Sequence, residues 1–284
     1  DAVRELFDFL EFRTLYDRLA EALRKDLGSA GTGADVLEAE VVRADTPARA
    51  VELLDTIAAG TGHLAVEATW EGAEGRTPLT GLALVLDTSL GEVAWIPGSL
   101  LEDDAVDAAL TRVQAARPLA GHGIKPLLRR LLDTAPDRPL PSVAVDTRLA
   151  AYLLDPAETR YAIEDLLVRY AQLELPSGTA APEGQLDLSA DTIDDALLAC
   201  RRALAVDRMV PPLLAALDAQ GLRKLNDEIE TPLVAVLARM EHLGVGVDRA
   251  ELQGLSDRLS GRGNCMCANP CRGSVSHWKW SDTP

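Results

Sequence analysis

The side chains best suited to metal chemistry stand near the end of the chain, where Cys265, Cys267, Cys271 and His277 follow one another closely. Thiolates and imidazole suit zinc, but structural zinc sites use paired C-x-x-C spacings that this segment lacks. The composition also changes abruptly here, from Leu, Ala and acidic residues to Cys, Trp, Ser and Asn. We therefore interpret residues 261–284 as an aberrant, disordered tail from a shifted reading frame, with a metal site as the alternative.

Two further groups could act as bases or as ligands of a hard cation. His122 stands between two glycines, but no carboxylate partner is evident in the sequence, which favours a structural loop histidine. Asp103, Asp104 and Asp107 are clustered where a helix is predicted to begin, and acidic residues stabilise that end of a helix dipole. We interpret them as a solvated helix N-terminus. Neither G-x-x-x-x-G-K-[ST] nor G-x-G-x-x-G occurs, so a phosphate-binding loop has no support.

These groups are carried by a chain in which predicted strands and helices alternate. Residues 63–97 read as three successive strands, because Leu64, Val66, Ala68 and Trp70 recur at period two and a short apolar run follows. We expect the first of these strands to be central, with any catalytic site at its end. Further strands are predicted at 119–121 and 141–145, and helices at 46–59, 102–116, 125–132, 146–154, 163–173, 190–217 and 222–242. Thr46 and Asp146 are predicted caps, and one more helix is predicted from Asp248 to about Leu259. This alternation is typical of an α/β layered fold.

Composition limits the classes of function. The 284 residues are 47% hydrophobic, enough for one large or two modest cored domains. The net charge of −17 repels polyanions, and the basic doublets at 129–130, 201–202 and 223–224 read as solvated helix faces. No apolar run approaches the roughly 20 residues that span a bilayer, and the first residues given, DAVRELFDF, lack the basic and apolar segments expected of a signal sequence. We expect a cytoplasmic protein without a membrane partner, and, since it starts with Asp1, a piece of a longer one.

Three strings resemble the central part of bacterial family A DNA polymerases, the DNA polymerase I family. LFDFLEFRTLYDRL (6–19) is similar to the segment that closes their 5′ nuclease region, and VDTRLAAYLL (145–154) to a string of their proofreading domain. EIETPLVAVLARMEHLGVGVD (228–248) resembles the passage that opens their polymerase domain, and it is the most specific because many of its positions match. The resemblance covers residues 6–259.

The resemblance implies a fold and a domain plan. The fold class is α/β, a ribonuclease-H-like mixed sheet of the 3′-5′ exonuclease type flanked by helices, with helical extensions at both ends. The plan assigns residues 1–27 to the end of the nuclease region, 28–34 to a linker, 35–220 to an exonuclease-like domain, 221–260 to the start of the polymerase thumb and 261–284 to the tail.

The resemblance also names the positions where the exonuclease would bind two metals through clustered carboxylates. The D-x-E positions of the first strand are Val66 and Ala68, and the Asp of a G-x-N-x-K-Y-D string is Leu127. The Asp of a Y-x-x-x-D string falls on Ala205 in the best match. Glu67 lies between the first two but points to the opposite face of a strand. We therefore predict no catalytic, cofactor-binding or metal-binding residue in this domain.

The resulting hypothesis is a truncated DNA polymerase I piece acting in replication and repair, whose inactive exonuclease-like domain is a structural platform for the missing polymerase module. The alternatives are an active metal-dependent 3′-5′ exonuclease of the same fold and a non-catalytic interaction module. No cofactor is expected in this chain, and magnesium only in the polymerase palm beyond it. The expected partner is primer-template DNA, bound through the full-length protein and weakly at most by this acidic monomer.

Overall fold

The computed structural model describes residues 35–176 and 195–266, and side chains as far as residue 260. The predictions for residues 1–34, 177–194 and 267–284 lie outside this part of the chain. The chain divides into a first compact unit that ends at His242 and a second that begins at Leu243.

The elements of the first unit alternate as predicted. The strands are β1 (Asp35–Val36), β2 (Glu40–Arg43), β3 (Leu64–Trp70), β4 (Leu79–Asp87), β5 (Glu92–Pro97), β6 (Leu119–Gly121), β7 (Val143–Asp146) and β8 (Leu173–Glu174). The helices are α1 (Pro47–Ala58), α2 (Asp104–Ala116), α3 (Lys125–Thr134), α4 (Thr147–Leu154), α5 (Ile163–Ala171), α6 (Asp195–Ala219), α7 (Arg223–Leu225) and α8 (Thr231–Leu243).

Six strands form the main sheet, in the order β2-β5-β4-β3-β6-β7. The pairs β3–β4 and β4–β5 are antiparallel, while β2–β5, β3–β6 and β6–β7 are parallel. The predicted three-strand meander is therefore confirmed, and β3 lies inside the sheet as predicted. Strands β1 and β8 form a separate parallel pair.

Helices cover both faces of the sheet, and each face has its own core. Side chains alternate between the cores along β3: Ala65 packs against α4, α5 and α6, whereas Leu64 and Val66 pack against α1, α2 and α3. This alternation follows from the period-two geometry of a strand. A strand with both faces covered reads as a nearly continuous apolar run, as this one does at its start.

Two glycines allow the turn and the close packing of the three-strand meander. Gly91 has φ of +72° in the turn between β4 and β5, a conformation that favours glycine. At Gly81 the indole ring of Trp95 lies where a side chain would be, since an added Cβ would come within 2.0 Å of the ring. The indole is thereby buried against the backbone of the neighbouring strand.

Helix starts follow the predicted caps. Thr46 Oγ1 accepts a hydrogen bond from Arg49 N, and Pro47 occupies the first turn of α1. Asp146 is buried at the end of β7, and its carboxylate accepts hydrogen bonds from four backbone N–H groups. Two belong to the first turn of α4, and two belong to Gly123 and Ile124 in the loop after β6. Asp146 thus joins a strand, a helix and a neighbouring loop.

The sequence predicts a kink or a new helix at Thr231 and Pro232, and the structure has a π-helical turn there. Asn226–Glu230 forms this turn, and Thr231 N donates to Asn226 O, five residues back. Proline cannot donate to the regular ladder, and an inserted residue is one way to accommodate it. Beyond the turn, α8 buries Val234 and Ala238 against the core with α1–α3.

The second unit contributes α9 (Arg249–Met266). Asp248 caps it by accepting from Ala250 N and Glu251 N, as predicted, and the helix extends past its predicted end near Leu259. Within the described ranges, none of the helices has the length and apolar character needed to cross a bilayer.

We expect Asp146→Ala to lower the free energy of unfolding by about 3 kcal/mol, because it leaves buried backbone donors without their charged acceptor. Asp103→Ala is the matched control: Asp103 caps α2 through only Ala105 N and Val106 N, so its loss should cost about 1 kcal/mol. Urea unfolding of both variants would measure the difference. Equal losses would contradict the bridging role of Asp146.

Candidate functional site

The structure brings three of the four positions that the resemblance singles out to one place. Val66 is buried on β3, Ala68 packs against the same core, and Leu127 in the first turn of α3 is 7% exposed. All three line one small cleft beside the loop after β6, together with Glu67 and Glu74. The positions where the resemblance implies metal-binding carboxylates thus hold alkyl groups that contact a hydrophobic core.

Ala205 is not part of this group. It lies on α6, fully buried in the core on the opposite face of the sheet, among alanine, leucine and valine side chains. The sequence match that leads to Ala205 therefore does not converge in space with the other three positions.

Glu67 points to the opposite face from Val66 and Ala68, as the strand period predicts. Its carboxylate accepts a hydrogen bond from Arg202 Nε at 2.9 Å, and Arg202 Nη1 donates to Glu164 at 3.0 Å. One guanidinium on α6 therefore bridges a carboxylate on the central strand and another on α5. The Glu67 side chain is 17% exposed and that of Arg202 is 29% exposed, so the pair is largely removed from water.

Burial dominates the electrostatics of this cluster. It raises the pKa of the Glu67 carboxyl above its ordinary value, and the attraction and hydrogen bond of Arg202 offset this only in part. The ionised form of Glu67 therefore depends on Arg202 for its stability, since a buried charge without a partner is costly.

Sequence reasoning missed Arg202 because it interpreted the doublet 201–202 as a solvated helix face. That interpretation is wrong for both residues: Arg202 pairs with Glu67 and Glu164, and the side chain of Arg201 is 19% exposed and pairs with Glu38 at 3.0 Å. The position of Glu67 inside a central strand could have predicted this pair. A carboxylate buried there needs a compensating cation, and the helix that covers the strand is the nearest source of one.

His122 is a structural loop residue, as predicted. Its Nδ1 lies 3.0 Å from Thr147 Oγ1 and its Nε2 lies 2.9 Å from the carbonyl oxygen of Tyr161. Burial lowers the pKa of the imidazole, which the nearby Asp146 carboxylate opposes. Both ring nitrogens therefore have protein partners, and Thr147 Oγ1 also lies within hydrogen-bond distance of the Gly121 carbonyl oxygen.

The aspartates at the start of α2 form a helix N-terminus, as predicted. Asp103 caps the helix, and Asp107 receives two hydrogen bonds from Arg138, at 2.6 and 2.9 Å. These bonds lower the pKa of the Asp107 carboxyl. The two carboxylates therefore have protein partners.

Asp207, the acidic residue nearest to Ala205 in the chain, is also engaged. Its Oδ1 lies 3.1 Å from His63 Nε2, and its Oδ2 accepts from Thr88 Oγ1 at 2.8 Å. These contacts join α6 to the start of β3 and the end of β4. Although burial opposes them, the hydrogen bonds from His63 and Thr88 keep the pKa of the Asp207 carboxyl below its ordinary value.

A cleft of about 790 Å³ opens beside the Glu67–Arg202 pair. It is lined by His122, by cationic side chains such as Arg148, and by Tyr152 and Tyr161, whose rings meet edge to face at 6.1 Å. Such a cleft can bind a ligand, but it presents no nucleophile next to a base. Among the residues that the structure describes, no three His, Cys, Asp or Glu side chains are grouped so as to hold a metal ion.

We expect Glu67→Gln to flatten the pH dependence of stability. A raised pKa in the folded state means that the unfolded chain loses this proton first, so wild-type stability falls as pH rises from about 4.5 through the folded pKa. The variant has no titrating carboxyl at this position, so its stability lacks this fall. The other titrating groups are present in both proteins, and their contributions cancel when the two pH profiles are subtracted.

Urea unfolding at several pH values would measure the difference between wild type and Glu67→Gln. Glu164→Gln is the matched control, since it removes the more exposed partner of the same arginine. Parallel pH profiles for wild type and Glu67→Gln would contradict the raised pKa.

Comparison with known proteins identifies relatives of the whole arrangement. No protein-family model matches the chain. DNA polymerase I of Mycobacterium tuberculosis is 32% identical over 276 residues, which cover 91% of this chain and 28% of that protein. DNA polymerase I of Pseudomonas aeruginosa is 28% identical over 92% of this chain and 30% of its own length. The chain thus spans less than a third of these curated relatives.

Solved structures agree with the sequence matches. The POL domain of Pol1 from Mycobacterium smegmatis, in complex with a DNA primer-template and dNTP, superposes with a TM-score of 0.63 at 26% identity. The match covers 80% of this chain and 36% of that one. Escherichia coli RNase D, an exoribonuclease, matches 72% of this chain and 51% of its own with a TM-score of 0.53 at 14% identity, which shows the fold alone.

The predicted fold class, a ribonuclease-H-like sheet of the 3′-5′ exonuclease type, is therefore confirmed. By sequence and by fold, the chain is a relative of bacterial DNA polymerase I and corresponds to a segment of that protein, as the resemblance predicted.

Proposed function

We propose that this chain is a non-catalytic, exonuclease-like piece of a DNA polymerase I, which serves as a structural platform for the polymerase module. The observation that carries the proposal is the packing of Val66, Ala68 and Leu127 against one hydrophobic core. Hydrolysis by two metals needs several carboxylates that replace the water around the ions. Alkyl groups at these places supply no ligand and disfavour any ion, so the residues present do not fit the metals.

The nearby carboxylates do not form a displaced ligand set. Glu67 and Glu164 share the guanidinium of Arg202, and Glu67 lies on the other face of β3. Asp146 already accepts four backbone hydrogen bonds, and Asp207 is held by His63 and Thr88. A metal ion at any of these groups would have to displace a partner that now compensates buried charge.

The platform role rests on α8, which belongs to the string that resembles the opening of the polymerase domain. Its inner side chains Val234 and Ala238 are buried in the core of the exonuclease-like unit. Lys125 on α3 pairs with Glu241 at 2.5 Å, and His242 contacts Asp133 at 2.8 Å. The outer face of α8 exposes apolar side chains such as Met240, 58% of which is accessible. One face is thus anchored and the other is available to a neighbouring module.

The rest of the proposal concerns the longer protein. Primer-template DNA is its partner in replication and repair, in the cytoplasm, and contacts mainly the polymerase module. Magnesium is bound by the palm of that module, outside this chain. The fragment itself is a monomer, and its net charge of −17 repels the DNA backbone.

We expect the purified chain to release no nucleotides from the 3′ end of single-stranded DNA in the presence of Mg²⁺ or Mn²⁺, because the ligand positions hold alkyl groups. End-labelled DNA with an active 3′ exonuclease in parallel provides the measurement and its control. Degradation that EDTA stops and that Glu67→Gln abolishes would overturn the proposal in favour of an active enzyme with displaced ligands.

We expect the chain alone to bind primer-template DNA with a Kd above about 100 µM at physiological salt, the weak end of non-specific binding. Fluorescence anisotropy would measure it, next to a version extended through the polymerase palm, which should bind more tightly. If neither version bound the DNA even at low salt, the interaction-module alternative would replace the polymerase role.

A further inference from the structure

A second cavity lies on the face of the sheet that carries α1, α2 and α3, and the proposed function does not use it. It has a volume of about 120 Å³ and is enclosed by β3, β4 and β6 below and by α2 and α3 on either side. We propose that this cavity is a binding site for a compact, uncharged, apolar molecule of about the size of benzene or toluene. The inference stands whether or not the domain is an active nuclease.

The walls determine the class of ligand. Val66 and Leu84 form part of the floor, Leu110 and Val113 come from α2, and Leu127 and Leu131 come from α3. A water molecule needs two to four polar partners to occupy a buried space, and the six alkyl side chains named here offer none. A cavity of roughly 150 Å³ lined by such side chains alone binds benzene or xenon, and the apolar part of this lining offers a ligand of that size similar contacts.

The polar rim argues against a net charge on the ligand. Glu102, Gln114, Arg130 and Thr134 also line the cavity, so acidic and basic side chains border the same space. A charged group on the ligand would be attracted by one and repelled by the other while losing its hydration. Asp107, also at the rim, is already engaged by Arg138 through two hydrogen bonds.

The size of the space makes it more than ordinary packing. Protein cores are packed as densely as organic crystals, and a void of this volume lowers stability unless something fills it. Leu110 and Leu131, on the two flanking helices, are only partly buried although both belong to the core cluster. Both leucines therefore keep some contact with solvent beside the cavity.

The test compares three molecules of similar shape on the full 284-residue chain: toluene, benzoate and benzylammonium. Toluene should raise the melting temperature by roughly 3–6 °C at about ten times its Kd, since it binds the folded state alone. The two charged molecules should bind at least about tenfold more weakly. Methyl NMR should show the largest toluene-induced shifts at Leu110, Val113 and Leu131.

Variants that fill the space provide the control. Leu110→Phe and Leu131→Phe should each abolish the response to toluene, whereas Leu90→Phe, at an exposed position in the β4–β5 turn, should keep it. If the filled variants do not fold, the wild-type NMR map decides. No response to toluene, an equal response to benzoate, a response that survives both filling variants, or shifts centred elsewhere would each overturn the inference and leave a packing void.

Discussion

The structure depends on the alternation of side chains along β3, the strand between β4 and β6. Leu64, Val66 and Ala68 contact one core, while Ala65 and Glu67 face the other. The backbone ladder fixes this division, since Val66 lies opposite Leu84 and Glu67 opposite Ala83. A shift by one residue would exchange the two faces and unpair both cores. Every residue of this strand is therefore committed to one chemical environment.

The two faces of the sheet differ in the side chains that they bury. On the side of α4, α5 and α6, polar groups enter the layer between sheet and helix and are compensated in place: Glu67 by Arg202, and Asp207 by His63 and Thr88. On the side of α1, α2 and α3, the space beneath the helices is lined by alkyl groups and remains partly unfilled. Both faces are packed by hydrophobic clusters, and the first also buries matched charges within its layer.

Much of the fold could be predicted from local sequence patterns. The meander, the alternation of strands and helices, and the caps at Thr46 and Asp146 follow from patterns a few residues long, and the structure has them. The domain context came from the resemblance, because strings such as EIETPLVAVL match at many positions. Burial of Val66 and Leu127 was consistent with their apolar character.

The features that sequence reasoning missed depend on how distant segments pack. Arg202 meets Glu67 across 135 residues of chain, so only the packing of α6 against β3 brings the two side chains together. No local period or motif encodes a contact between such distant segments. The π-helical turn before Thr231 likewise arises because proline must be fitted into a helix whose far side is already anchored in the core.

The packing of Val66, Ala68 and Leu127 also bears on evolution. A carboxylate introduced at any one of these positions would enter a hydrophobic core before the other ligands existed, so the first step toward a metal site would lose stability without gaining a bound ion. Selection would therefore act against this first substitution. The three alkyl side chains thus disfavour the stepwise acquisition of metal ligands at these positions, while substitutions on the surface and in loops remain tolerated.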